Sequence, residues 1–215
     1  MDPSSAPQPR SPADRRHRRS RLSRARIRAA ARNLFLERGF DATTVDDIVG
    51  AADLAQKTFF NHFPTKDALL QELASSVVGH FERLLSDECK RSDSLEARLG
   101  GFFSLVGSEI EVTRVLSRDL LHRIIRGSAS GGTGNQELRR VRQAFRGVVA
   151  DGRERGDVGV DLELEVQADL VAGAFIGVVL QWLNEPGYPL AGRLRDTAHF
   201  LAAALAPRRA PGRGT

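Results

Sequence analysis

Cysteine, tryptophan, tyrosine and methionine each occur once in the 215 residues, and aromatic residues make up only 6% of the chain. Because Cys89 has no second cysteine to pair with, no disulfide can form within the chain, and zinc sites built from several cysteines are excluded. This cysteine usage is typical of a reducing compartment, so we expect a cytoplasmic protein. The five histidines are scattered and no glycine-rich phosphate loop is present. We therefore expect a protein that is not an enzyme and holds no cofactor.

Long hydrophobic runs are also missing. The most apolar stretch, Leu170 to Leu180, is too short for a membrane span of roughly 20 residues, and Asp169 lies at its edge. We interpret it as part of a buried helix. The N-terminus is basic but no apolar core follows it, so the sequence predicts no secretory signal.

The formal charge of +5 is unevenly distributed. Residues 1–22 contain six arginines and two aspartates, giving +4, and residues 207–215 contain three arginines, giving +3. The remaining body carries a charge of −2. The sequence pI of about 10.2 therefore comes from the two ends and does not by itself indicate that the folded part binds nucleic acid.

Residues 1–20 are rich in proline, serine and arginine without an apolar period, so we predict a disordered tail there and a second one over residues 207–215. Two interpretations of the first tail stay open. It is either a solvated segment without a function or a cationic arm lying along DNA. In the second case its arginines would attract phosphate: Arg10, Arg15, Arg16, Arg18, Arg19 and Arg21.

Between the tails, apolar residues recur at helical spacing and no strand alternation of useful length is present, so the chain is predicted to be all-α with about nine or ten helices. The first helix is expected to start near Ser20 or Ser23 and to stop at Gly39. We place a three-helix DNA-binding domain at residues 21–66 and a larger helical domain at residues 67–206.

Residues 44–63 are predicted to form two short helices joined by a tight break, which is the arrangement of a helix-turn-helix. Thr43 or Thr44 can cap the first of these helices, with Asp46 or Asp47 supplying the carboxylate of a capping box. Asp53 falls in the turn, where a residue must tolerate the left-handed region of backbone conformation.

The segment TFFNHFPTK, residues 58–66, concentrates three of the eleven phenylalanines. Phe59 and Phe63 are four residues apart and share one helix face, so we assign both to the core. Phe60 lies about 100° away and falls beside Lys57 and Asn61. It either packs on a thymine methyl or sugar of DNA, or is covered by the first helix or the tail.

The stretch from Ile27 to Leu70, IRAAARNLFLERGFDATTVDDIVGAADLAQKTFFNHFPTKDALL, resembles the TetR family of bacterial transcriptional regulators. The family pattern has an Ala-rich first helix ending in acidic-x-Gly-Phe, a Thr-Thr-Val start to the second helix, and a Thr-Phe-Tyr-x-His-Phe-x-x-Lys finish. The rest of the chain agrees with the family only in helix lengths and order.

The resemblance implies roles for individual residues. Thr44 and His62 match positions that hold phosphate, and Lys66 lies at the start of the fourth helix where phosphate is favoured. The positions where the family reads bases or backbone are Gln56, Lys57, Thr58 and Asn61. The implied DNA-binding set is Thr44, Gln56, Lys57, Thr58, Phe60, Asn61, His62 and Lys66. The alternative for Lys57 and Asn61 is an ordinary solvated face, and for His62 a place at the edge of the core.

Three residues depart from the family pattern. Asp53 stands where glycine is usual, so the turn is expected to be slightly strained. Ala55 replaces the usual serine or threonine and removes a side-chain cap from the recognition helix. Phe60 replaces a tyrosine whose hydroxyl usually meets phosphate.

The helices near residues 137–155 and 162–184 are the predicted dimer surface, since a helix-turn-helix of this size gains affinity by binding two half-sites of a palindromic operator. The resemblance implies that the last two long helices pair across a two-fold axis. The residues expected to contribute are Gly173, Ala174, Gly177, Val178 and Trp182; the alternative is that they pack only within one chain.

A small-molecule pocket among the middle helices is implied by the resemblance. The residues expected to line it are Phe102, Phe103, Val106, Leu116, Leu120, Ile124, Phe145, Phe175 and Val179. An ordinary core is the alternative for each of them. Asp119 and His122 are one turn apart, which is weak support for a metal, and we predict none. The lining indicates a mostly apolar effector.

We therefore predict a sequence-specific DNA-binding transcriptional regulator, and specifically a repressor that a small, largely apolar effector releases from its operator. The alternative is a non-specific architectural DNA-binding protein driven by the basic tail.

Overall fold

The computed structural model describes residues 12–129 and 133–208, and within these ranges the chain is all-α, as predicted. Nine helices are formed there: α1 (Pro12–Arg38), α2 (Val45–Ala52), α3 (Gln56–His62), α4 (Lys66–Arg91), α5 (Leu95–Val112), α6 (Arg114–Ala129), α7 (Thr133–Arg155), α8 (Leu164–Asn184) and α9 (Leu190–Leu205). The number agrees with the nine or ten helices expected from the apolar periodicity.

The chain divides into two compact units after Leu69, within the first turns of α4. The sequence analysis placed this division three residues earlier, between residues 66 and 67. We call the first the DNA-binding unit and the second the regulatory unit. Because α4 begins in one and continues in the other, it is a covalent link between them.

The start of α1 differs from the prediction. The helix begins at Pro12, so residues 12–20 are helical rather than part of a disordered tail, while residues 1–11, including Arg10, and residues 209–215 lie outside the described residues. Proline is well tolerated in a first helical turn, where its missing N–H is not needed. The helix ends at Arg38 because Gly39 follows with a φ of 83°.

The core of the DNA-binding unit is formed by one face of each of α1, α2 and α3, together with Phe63 after α3 and Leu69 in the first turn of α4. The buried apolar side chains are Ile27, Ala30, Ala31, Phe35, Ile48, Val49, Ala52, Phe59, Phe63 and Leu69. Since these helices are short, apart from α1, burial of this face supplies most of their stability.

The core of the regulatory unit is built around four phenylalanines, Phe102 and Phe103 on α5, Phe145 on α7 and Phe175 on α8, whose ring centroids lie 5.3–6.0 Å apart. Helix α8 is long and apolar enough to cross a membrane by length and composition. It instead contacts α7 and α9 and buries Phe175 and Trp182, so it is a core helix, as the sequence indicated.

A buried arginine joins three parts of the regulatory unit. Arg98 on α5 is 0% exposed, and its guanidinium donates hydrogen bonds to Asp151 on α7, to Asp157 in the following loop and to the Ser94 carbonyl. Asp157 also accepts the backbone N–H of Leu95. Because a buried guanidinium is costly without partners, this network specifies how α5 docks on the end of α7.

We predict that Arg98→Met lowers the free energy of unfolding by about 3 kcal/mol, because it leaves Asp151 and Asp157 without their buried counter-charge. Urea denaturation of the two proteins measures the difference. Lys90→Met is the matched control, since Lys90 is 72% exposed and pairs with Asp87, itself 50% exposed, within one helix; its cost should stay below about 0.5 kcal/mol. A loss below about 1 kcal/mol for Arg98→Met would contradict the role of the network.

Candidate nucleic-acid interface

A capping box fixes the start of α2. The Thr44 hydroxyl accepts the Asp47 N–H at 3.1 Å, and the Asp47 carboxylate accepts the Thr44 N–H at 2.8 Å and its hydroxyl at 2.6 Å. These bonds with Thr44, aided by Arg38 at 2.9 Å, lower the pKa of Asp47 to about 2. The predicted cap is thus formed by Thr44 and Asp47, and a phosphate contact from the Thr44 hydroxyl would have to share it with the cap.

The turn between α2 and α3 is centred on Asp53, the one non-glycine residue with positive φ among the described residues (φ 50°, ψ 55°). Its N–H donates to the Gly50 carbonyl at 3.1 Å. Arg26 on α1 bonds both the Asp53 carbonyl, at 3.3 Å, and its carboxylate, at 3.2 Å. The left-handed turn expected from the sequence is therefore present, and α1 holds it in place.

Helix α3 spans only seven residues, and Ala55, which precedes it in the N-cap position, provides no side-chain cap. Phe59 and Phe63 are buried, with ring centroids 5.7 Å apart, which confirms their assignment to the core. At the C-terminal end, the Arg24 guanidinium lies 4.6 Å from the centre of the Phe63 ring and donates to the His62 carbonyl at 3.3 Å. The buried phenylalanine rings therefore fix the inner face of α3, and Arg24 fixes its C-terminal end.

The outer face of α3 is exposed, and we define it as Gln56, Lys57, Phe60 and Asn61. Phe60 is 49% exposed and stands edge-on to Phe59, with centroids 5.3 Å apart, so α1 does not cover it. Gln56 donates to the Asp46 carboxylate at 2.9 Å. Within the described residues, the side chains of Lys57 and Asn61 have no hydrogen-bond or ion-pair partner.

The remaining predicted DNA contacts lie at the margins of this face. Thr58 and His62 are half-buried. Lys66 differs from the prediction: its ammonium group donates to the carbonyls of Phe40 and Thr43, at 2.7 Å each, and lies 4.1 Å from the centre of the Phe40 ring. In place of the expected phosphate contact, Lys66 fixes the loop between α1 and α2.

Two short helices that meet at a left-handed turn, with an exposed polar face on the second, are the geometry of a helix-turn-helix. The family model described as bacterial regulatory proteins, tetR family, matches residues 27–73. The matched range runs from the middle of α1 through α2 and α3 into the first turns of α4. Two curated repressors are similar over most of the chain. DhaR of Mycobacterium sp. (strain GP1) is 24% identical over 69% of this chain and 76% of its own. KstR2 of Rhodococcus jostii is 24% identical over 73% of this chain and 88% of its own.

The crystal structure of Thermus thermophilus FadR, a TetR family repressor in complex with lauroyl-CoA, is 25% identical, covers 89% of this chain and 100% of its own, and superposes with a TM-score of 0.66. The chain belongs to the TetR family of transcriptional regulators. TetR proteins are regulators rather than enzymes, in agreement with the missing catalytic constellation.

A small cavity of this TetR protein lies in the regulatory unit between α4, α5, α7 and α8. Its volume is about 10 Å³, room for about one water molecule. Three of the residues expected to line a pocket do so: Phe102, Phe145 and Phe175. The other six are buried without lining it: Phe103, Val106, Leu116, Leu120, Ile124 and Val179.

The α4 side of this cavity was not among the residues predicted from the sequence. Its lining there is Val78, Phe81, Glu82 and Leu85, and α7 adds Val141 and Ala144. The apolar stripe of α4 was visible in the sequence, but a stripe does not reveal which helix it faces. Arg140 on α7 binds both oxygens of Glu82, at 2.9 and 2.6 Å, so an ion pair stands at the edge of the cavity.

The residues expected at a dimer surface separate into two groups. Gly173 and Gly177 are exposed on α8, and a Cβ added at either would meet no described atom within 4 Å beyond the neighbouring backbone of α8; Ala174 and Val178 are half-buried. Trp182 was wrongly assigned to this surface: it is 0% exposed, and Arg114 and Arg118 lie 5.4 and 6.0 Å from its ring centre. Its size and apolar character do not distinguish the inner from the outer face of α8.

Proposed function

We propose that this TetR protein acts in the bacterial cytoplasm as a homodimeric repressor that inserts α3 of each subunit into the major groove of a palindromic operator. The observation that carries the proposal is the outer face of α3. It presents a cation, an amide and an aromatic ring that the chain itself leaves exposed, on a helix whose opposite face is fully buried.

Each side chain of this face suits a different contact. The Asn61 amide can donate to and accept from an adenine edge, the Lys57 ammonium can donate to guanine or phosphate, and the Phe60 ring can pack on a thymine methyl. Gln56 donates a hydrogen bond to Asp46 and would have to give it up before contacting DNA. Thr44, Thr58 and His62, at the margins, are placed to contact phosphate.

Selection from a random duplex library at near-physiological salt should recover an inverted repeat with half-sites about one helical turn, or a multiple of it, apart. Lys57→Ala and Asn61→Ala should each weaken binding to that repeat by roughly 5- to 150-fold, as expected for about 1–3 kcal/mol per specific contact. Fluorescence anisotropy with labelled duplexes measures these affinities.

Lys90→Ala is the matched control, because it removes an exposed lysine of the regulatory unit whose ion pair is with Asp87 on the same helix. Its affinity should equal that of the unaltered protein. A bound pool without a shared motif would favour the architectural alternative, in which phosphate and not sequence is recognised.

The dimer surface that we propose is formed by α8 and α9. An exposed apolar stripe runs along α8 through Val166, Leu170, Gly173 and Gly177, and Phe200 on α9 is 69% exposed. By contrast, α7 carries charged residues outward, and Arg142 and Arg146 form ion pairs with Asp169 and Glu165 on α8. The exposed apolar residues therefore support a dimer surface formed by α8 and α9, in place of the surface of α7 and α8 that was expected from the sequence.

Replacing Phe200 with glutamate should convert the dimer to a monomer and weaken operator binding at least tenfold, since a monomer engages one half-site. Sedimentation equilibrium gives the mass, and operator titration gives the affinity. Val112→Glu is the control, because Val112 is 85% exposed at the end of α5. A Phe200→Glu protein that remains dimeric would contradict the proposed surface.

An apolar effector is proposed to bind between α4 and α7, where the small cavity lies. Because the cavity is too small for such a molecule, binding must separate the phenylalanines and displace α4, which continues into the DNA-binding unit. In FadR of Thermus thermophilus the bound molecule is lauroyl-CoA. An acyl chain is compatible with the aromatic lining here.

An acyl-CoA series of increasing chain length should weaken operator binding by roughly 5- to 150-fold at saturation. Ala144→Leu, which fills the cavity, should abolish this effect while the effector-free protein still binds its operator. Ala150→Leu, on the same helix but outside the cavity, should leave the effect intact. Release that Ala144→Leu does not alter would place the effector elsewhere, and a series without any effect would argue against acyl chains as effectors.

A further inference from the structure

The first turns of α1 form a basic surface that the helix-turn-helix does not explain. We define the basic arm as Ala13 to Leu22, in which five arginines and one aspartate give a formal charge of +4 with His17 neutral. Every side chain of the arm is exposed, although its ten residues cover all directions around the helix axis. The arm therefore extends beyond the core that holds the rest of α1.

The arginines of the arm lack counter-charges. Within the described residues, no acidic side chain forms an ion pair with Arg15, Arg16, Arg18, Arg19 or Arg21. Several of them are three or four residues apart, so their like charges oppose each other along the helix and disfavour it. A polyanion beside the arm would remove this repulsion and stabilise the helix.

The arm leaves the DNA-binding unit next to the recognition helix. Two residues after the arm, Arg24 bonds the His62 carbonyl at the end of α3, and Arg26 bonds Asp53 in the turn before it. At 1.5 Å per residue the arm is about 15 Å long, the rise of roughly four or five base pairs. A duplex held by α3 is thus within reach of the arm.

The chemistry of the arm matches phosphate. Guanidinium groups bind phosphate oxygens through paired hydrogen bonds. The guanidinium groups of the arm make no hydrogen bond or ion pair within the part of the chain that the structure describes. The arm has no apolar face that would insert into a lipid bilayer, since Leu22 is its one large apolar residue. Duplex DNA is therefore the polyanion that both position and composition favour.

We propose that the basic arm binds backbone phosphates of the DNA that flanks the base pairs read by α3. The inference rests on the proposed function, since it assigns a second contact to the same operator complex. The arm adds affinity without reading sequence, so the protein's footprint extends beyond the inverted repeat on both sides.

The test compares two duplexes carrying the selected inverted repeat, one ending at the repeat and one with ten further base pairs on each side. The full-length protein should bind the longer duplex roughly tenfold or more tightly at physiological salt, with a steeper dependence of log K on log salt by about 0.9 per added phosphate contact. Replacing all five arginines of the arm with glutamine should remove both differences while keeping the affinity for the short duplex.

A charge-matched control replaces five exposed cations of the regulatory unit with glutamine: Arg83, Lys90, Arg91, Arg139 and Arg195. This control should still prefer the longer duplex. If the arm variant keeps both the preference and the salt slope, the proposed contact is wrong although the operator assignment stands. If the unaltered protein shows no preference for the repeat over random duplex, the proposed function fails and this inference fails with it.

Discussion

The burial of Phe59 and Phe63 beneath α3 is the interaction on which the DNA-binding unit depends. A helix of seven residues without a side-chain cap is not stable alone in water, so its position must come from packing. The two rings anchor α3 to the core, while Arg24 and Arg26 tie its end and the preceding turn to α1. Because this packing holds α3, the exposed side chains of Lys57 and Asn61 are not needed to keep the helix in place.

The regulatory unit is organised around a charged network and an aromatic cluster. Arg98 fixes the docking of α5 on α7 at one end, and the four phenylalanines fill the centre with almost no free volume. A packed core of this kind responds to an intruding molecule by shifting a helix, because its side chains cannot compress. Helix α4 borders the aromatic cluster and continues into the DNA-binding unit, so it is the element through which such a shift would be transmitted.

Features set by local sequence could be predicted, and those set by distant contacts could not. The Thr44–Asp47 cap, the left-handed Asp53 and the inward pair Phe59 and Phe63 each depend on residues within a few positions. Arg98 gave no signal, since its carboxylate partners are 53 and 59 residues away. The same holds for Lys66: its charge at a helix start suggested phosphate, but the carbonyls that it binds are 23 and 26 residues away.

Two further differences have other physical causes. The first turns of α1 have no apolar period because they face no core, so a helix there could not be recognised from periodicity. Apolar periodicity identified the buried residues of the regulatory unit but cannot distinguish a side chain that lines a cavity from one that fills the core. Phe102, Phe145 and Phe175 line the cavity, while Phe103 and Val179 have the same burial and do not.

Photo-crosslinking from position 60 tests the central claim, that the outer face of α3 contacts operator bases, most directly. The protein with p-benzoylphenylalanine in place of Phe60 would be bound to the selected operator and irradiated, with the same group at Val112 as the control. We expect crosslinks at one or two defined base positions in each half-site from position 60 and none from position 112. A bound complex in which position 60 gives no crosslink, or crosslinks without positional preference, would contradict this claim.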